Sequence, residues 1–214
     1  MMDSMAIHEA VIRGDEASVE ALILEAVAGG TTPRTIIAAQ LIPAMEEVGA
    51  RFERAEFFIP EMLLASRAMQ SGLALLSPLM TGQESGLAHR VVMGTVQSDI
   101  HDLGKNLVAT MLGSAGFEVT DLGADVSPER FVEAVRDLKP HLLGMSSLMT
   151  TTMPSMFRTV EALTAAGLRQ GVEVMVGGAP LTQRYCEEIG ADGYAPDAWS
   201  AVKKAKELLG MRER

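Results

Sequence analysis

The stretch Gly94-Thr95-Val96-Gln97-Ser98-Asp99-Ile100-His101-Asp102-Leu103-Gly104-Lys105-Asn106 follows the apolar run Val91-Val92-Met93 and leads into a helical pattern. Strand, polar loop and helix in that order form the first unit of an alternating α/β chain. Asp99 and His101 are two residues apart, so in extended backbone both side chains point the same way. The carboxylate can then take the proton of one imidazole nitrogen and leave the other free for a metal. Gly104 has no Cβ, which lets a bulky ligand pass close to the backbone where the helix begins.

Outward from this loop, the alternation continues to the C-terminus. Strands are predicted at about 90–96, 118–123, 141–146, 173–177 and 192–195. Helices are predicted at about 104–115, 127–138, 154–168, 182–189 and 198–209, with Ser127 as a cap and Pro128 at a first helical position. Such units predict a doubly wound, flavodoxin-like α/β domain with a five-stranded parallel sheet covered on both faces. In that fold class the strand order is 2-1-3-4-5, and ligands bind at the carboxyl ends of the strands. The Asp99–His101 loop follows the first strand, Ser146-Ser147-Leu148 the third and Gly177-Gly178 the fourth. That order would bring three segments distant in sequence to one edge of the sheet.

Residues 3 to about 78 have a different grammar. Ile36, Ile37, Leu41, Met45 and Val48, then Met62, Leu63, Met69, Leu73 and Leu76, recur at helical spacing. Asp15 and Thr32-Pro33 are helix starts, and Gly29-Gly30 is a helix end. Four helices joined by short turns predict an antiparallel bundle. Thr81-Gly82-Gln83-Glu84-Ser85-Gly86 reads as a linker, which places the domain boundary at 88/89 and a hinge at 79–88.

A net charge of −10 argues against a nucleic-acid partner. No apolar run approaches the roughly 20 residues needed to cross a bilayer, and the N-terminus shows no secretory pattern. The single cysteine, Cys186, excludes an intramolecular disulfide, fits a cytoplasmic protein and reads as a packing residue. Most of the 15 methionines read as core filler, with a few in the first eighty residues as candidates to line a pocket for a large planar ligand.

Asp99-x-His101-x-x-Gly104, Ser146-x-Leu148 and Gly177-Gly178 together resemble the cobalamin-binding signature. The longer strings GTVQSDIHDLGKNLV, GMSSLMTTTM and VGGAPLT resemble the corrinoid proteins of anaerobic methyltransferase systems and are similar to the cobalamin module of methionine synthase. The resemblance implies cobalamin as cofactor, with its own base drawn into a groove and His101 in its place on the cobalt. It implies Asp99 as the hydrogen-bond partner of His101. Thr152 matches the serine that completes the relay in methionine synthase. Ser146 and Leu148 would contact the buried nucleotide, Thr150 is a further cofactor-binding position, and Gly104, Gly177 and Gly178 would let the backbone approach the nucleotide. In the helical half, Phe58-Ile59-Pro60-Glu61-Met62-Leu63-Leu64-Ala65-Ser66-Arg67-Ala68-Met69 resembles the family's cap over the upper corrin face. Phe58, Ala65 and Ala68 match positions over the methyl group, although a plain bundle core explains Phe58 equally well and the two alanines better.

The function so implied is a methyl carrier. A substrate-specific methyltransferase loads the cobalt, an acceptor methyltransferase unloads it, and a reductive activator is a further partner. A cobalamin-dependent sensor or regulator and the small subunit of a carbon-skeleton mutase are the alternatives. A sensor needs a DNA-binding or signalling module, and a mutase subunit needs no helical cap. Among other residues, His8 reads as solvated, His89 and His141 as structural, and Trp199 as packed. Lys105 reads either as a phosphate contact at a helix N-terminus or as solvated.

Overall fold

The structure is a computed structural model that describes residues 5–79 and 89–211. The expected linker at 81–86, and nearly all of the expected hinge, lie outside the described residues. The chain divides into two compact units, one helical and one α/β, with the short turn Ser114–Gly116 counted in the first.

The helical unit contains α1 (Ala6–Ile12), α2 (Glu16–Ala28), α3 (Pro33–Ile36), α4 (Ile42–Glu53) and α5 (Ile59–Leu76). Asp15 caps α2 by accepting from the Ser18 N–H at 3.1 Å, and Thr32 caps α3 by accepting from Thr35. A π-helical segment, Ile37–Leu41, joins α3 to α4 without a break, so the unit has four helical rods, as expected. Pro43 accounts for the widening: it offers no N–H to the preceding turn, and the Ile42 N–H reaches back to Ile37 instead. The wider turn aims Gln40 at the start of α1, where its Oε1 accepts from the His8 N–H at 3.3 Å. His8 itself is 8% exposed, which corrects the expectation that it is solvated; its face of α1 is the apolar one, shared with Ile7, Val11 and Ile12. Met45, Met62 and Met69 are buried, as the packing reading requires.

The α/β unit runs β1 (Arg90–Thr95), α6 (Leu103–Ser114), β2 (Glu118–Asp121), α7 (Pro128–Leu138), β3 (Leu142–Ser146), α8 (Pro154–Ala165), β4 (Glu173–Gly177), α9 (Gln183–Glu188), β5 (Gly193–Ala195) and α10 (Ala198–Leu208). The five strands are all parallel, in the order β2-β1-β3-β4-β5. The inner strands are buried on both faces, which their near-continuous apolar runs demand, while β2 is an exposed edge. Val92, Leu143, Met145, Val174 and Val176 pack with Phe131 and Val135 of α7 and Met156, Val160 and Leu163 of α8. Trp199 is buried on α10, and Cys186 is buried on α9, where burial pushes its thiol up. His89 and His141 meet edge to face, 5.1 Å apart, at the amino ends of β1 and β3, far from the carboxyl edge. Among the described residues no helix is long and apolar enough to cross a membrane.

Strand register positions the site. Thr95 pairs with Ser146, and Ser146 with Gly177, so β1, β3 and β4 end level with one another. The loop after β3 then presses on the loop after β4. At Gly178, φ is +134°, and an added Cβ would lie 1.9 Å from the Ser147 carbonyl oxygen. Relief would require moving backbone, not a flexible side chain. Gly178→Ala is expected to lower stability by about 2 kcal/mol or more in chemical denaturation.

Candidate functional site

The loop after β1 is held from two sides. Val96 donates to the Ser146 carbonyl at 3.0 Å and pairs with Val126 beyond β2. Ser98 adopts a left-handed backbone, φ +68°, and its N–H donates to Asp125 Oδ1 at 2.7 Å. The Asp125 N–H donates in turn to the Asp99 carbonyl at 3.0 Å. These contacts turn the Asp99 side chain inward, where it has no exposed surface.

Asp99 is the hub of the site. Its Oδ1 accepts from the His101 N–H at 3.0 Å and lies 2.8 Å from His101 Nδ1. Its Oδ2 accepts from the Thr152 hydroxyl at 2.7 Å and the Leu148 N–H at 2.8 Å. Longer contacts at 3.4 Å reach the Met149 N–H and the Ser147 hydroxyl. Burial by itself would raise the Asp99 carboxyl, but the donors from His101, Thr152 and Leu148 outweigh it and hold the group well below the usual carboxylate range. A carboxylate that stays ionised can only accept, so Nδ1 carries a proton, and in the neutral imidazole Nε2 is the nitrogen left free.

The His101 side chain is 47% exposed, although its partner is fully buried. Ile100 and Leu103 beside it are 76% and 85% exposed, an apolar rim around a lone imidazole nitrogen. An added Cβ on Gly104 would meet nothing within 4 Å, so that flank is open. A single nitrogen donor in an open, apolar-rimmed setting suits a metal whose other ligands come from a macrocycle.

The remaining expected residues fall in different places. Ser146 Oγ lies 2.7 Å from Thr95 Oγ1 across the β1–β3 pair, so part of its hydrogen-bonding capacity is used inside the fold. Leu148 presents its side chain to solvent while its N–H serves Asp99, and Thr150 is exposed in the following turn. Gly177 and Gly178 are partly exposed, and their lack of Cβ already serves the protein backbone around them. Phe58, in the helical unit, is 61% exposed; Ala65 and Ala68 have no exposed surface. Lys105 is neither solvated nor free for a phosphate: it is 2% exposed, and its ammonium bonds the Asp121 and Asn106 side chains, tying α6 to the edge strand.

Two participants escape the motif reading. Asp125 anchors the histidine loop from 26 positions beyond Asp99, and a lone aspartate between strand and helix gives no sign of that. Ser147 occupies the variable position of Ser-x-Leu, yet its Oγ lies 2.7 Å from Thr152 Oγ1.

Comparison with known proteins agrees with this architecture. Residues 89–203 match one B12 binding domain family, and residues 5–77 match a second B12 binding domain family. The chain is 46% identical over 187 residues to dimethylamine corrinoid protein 1 of Methanosarcina acetivorans, covering 87% of this chain and 88% of the relative. It is 43% identical over 205 residues to the trimethylamine corrinoid protein of Methanosarcina barkeri, covering 95% of this chain and 94% of the relative. The methanol:cobalamin methyltransferase complex MtaBC from Methanosarcina barkeri includes a chain that superposes with a TM-score of 0.82 at 28% identity, over 96% of this chain and 78% of that one. The chain belongs to the B12-binding corrinoid proteins of methyltransferase systems, and its cofactor is cobalamin.

Because Asp99 is held below its unfolded-state pKa, the stability it contributes is fully present above the ordinary carboxylate range and is lost as pH falls below about 4. At neutral pH, Asp99→Asn is expected to cost about 1–3 kcal/mol. Urea denaturation at a series of pH values should show the gap between wild type and variant narrowing as the solution becomes acidic.

Proposed function

We propose that this chain is the methyl-carrying subunit of a cobalamin-dependent methyltransferase system, with cobalamin bound base-off and His101 Nε2 as its protein ligand. The observation that carries the reading is the 2.8 Å contact between His101 Nδ1 and the buried Asp99 carboxylate, which leaves Nε2 as the unprotonated nitrogen. When bound, the cobalt corrinoid supplies an ion that accepts a methyl group and gives it up again.

The residues of the chain hold and bias that ion. Asp99 orients His101 and sets the electron density on Nε2, and Thr152 steadies Asp99. Ser146, Leu148 and Thr150 would hold the nucleotide end, with Gly104, Gly177 and Gly178 giving it room. The helical residues up to 88 would act as a cap and residues 89–214 as the cobalamin-binding domain. Phe58 is exposed and available to cover the methyl face. Ala65 and Ala68 are closed off as they stand, so they would reach that face only after a local rearrangement.

Partners of two kinds follow from this role: a methyltransferase that loads the cobalt and one that unloads it, with a reductive activator to restore the reduced metal. Relatives named for dimethylamine and trimethylamine support a methylated amine as the donor class. A cytoplasmic setting suits such partners and the single free cysteine.

The electron paramagnetic resonance spectrum of the Co(II) holoprotein, made with nitrogen-15 histidine, tests the reading. A doublet splitting that disappears in His101→Ala is expected. A triplet from the cofactor's own base would overturn the base-off assignment.

A further inference from the structure

The motif explains one hydroxyl on Asp99, but the structure places two in the same buried space. Thr152 Oγ1 lies 2.7 Å from Asp99 Oδ2 and 2.9 Å from the Met149 carbonyl. Ser147 Oγ lies 2.7 Å from Thr152 Oγ1, 3.1 Å from the Met149 carbonyl and 3.4 Å from Asp99 Oδ2. Each hydroxyl has a single proton to give. Ser147 is 1% exposed and Thr152 4%.

We propose that Ser147 is a fourth member of the axial relay, a positioning residue whose hydroxyl commits the Thr152 proton to Asp99 and so moderates electron donation from His101. The proposal rests on the reading of His101 as the axial ligand. Two proton arrangements compete. In one, Thr152 donates to Asp99 and Ser147 donates to the lone pair left on Thr152. In the other, Thr152 turns to the Met149 carbonyl, and Asp99 keeps from this pair only the 3.4 Å contact with Ser147. The Met149 carbonyl already faces the N–H groups of Thr152 at 3.1 Å and Met153 at 3.3 Å, so it needs no hydroxyl. The buried carboxylate does, and the first arrangement prevails.

The chain then runs Ser147 to Thr152 to Asp99 to His101. Donation by Ser147 polarises the Thr152 hydroxyl and strengthens its bond to Asp99. Charge drawn toward Thr152 is charge not pulling on the His101 Nδ1 proton. Without Ser147, Asp99 pulls harder, Nε2 becomes the stronger donor, and the cobalt state that keeps an axial ligand gains. Ser147→Ala removes this donor and leaves the Cβ and backbone in place.

The test compares wild type, Ser147→Ala, Thr152→Val and the double variant as cobalamin-loaded proteins, reading the Co(II)/Co(I) midpoint potential by spectroelectrochemistry. Ser147→Ala is expected to move the midpoint to more negative potential, by about a fivefold change in the equilibrium. In the Thr152→Val background the same substitution should shift the midpoint much less, because only the 3.4 Å contact between Ser147 and Asp99 then remains. An equal shift in both backgrounds would mean that Ser147 acts by packing or by its own contact with Asp99 and not through Thr152, and no shift would mean that it does not act; either overturns the proposal. If Ser147→Ala does not load, the nitrogen-15 shift of His101 Nε2 in unloaded protein carries the test, with clearly larger movement expected where Thr152 is intact. A wild-type Co(II) spectrum lacking the His101 splitting overturns the axial reading and this proposal together. With that splitting present, absence of the Ser147 effect overturns this proposal alone.

Discussion

A buried carboxylate with no exposed surface is the constraint around which the α/β unit is arranged. Taking the Asp99 charge out of water is costly unless donors replace the solvent. Those donors come from two directions: His101 two residues away, and the loop beyond β3 about fifty residues away. They converge because parallel strands of matched length end at one level, with Thr95, Ser146 and Gly177 side by side. The sheet is therefore the device that lets the loops solvate the Asp99 charge. The ionised Asp99 is the device that orients His101.

The small residues near this edge serve the protein before any ligand. Gly178 lacks a Cβ because the Ser147 carbonyl occupies its space, and Gly177 lies close to the Ala195 carbonyl. Ser146 bonds to Thr95 across neighbouring strands. Gly104, by contrast, faces open space. The signature thus combines two demands. Some positions keep three strand ends tightly packed, and others leave room beside the imidazole.

Much of the chain was legible at the level of periodicity. Alternating apolar runs and helical patterns located the five strands and the helices behind them to within a few residues, and Asp15, Thr32 and Ser127 marked helix starts as capping residues do. The errors fell where a polar side chain is buried by something remote. His8 lies on an apolar face that the helix packing covers. Lys105 folds onto Asp121 of the edge strand, sixteen residues later. What covers each side chain is remote, so neither outcome has a local signal.

The sequence by itself determined the order of the elements, the spacing of Asp99 and His101, and the resemblance that named cobalamin. These are properties of neighbouring residues: apolar period, caps, turn residues and short motifs. Only the tertiary structure decided that Asp99 has no solvent, that Ser147 joins Thr152 beside it, and that Gly178 yields to a carbonyl from another loop. The reason is physical. Burial and hydrogen-bond partnership depend on which distant strand ends become level, and that registry is set by packing of the whole sheet.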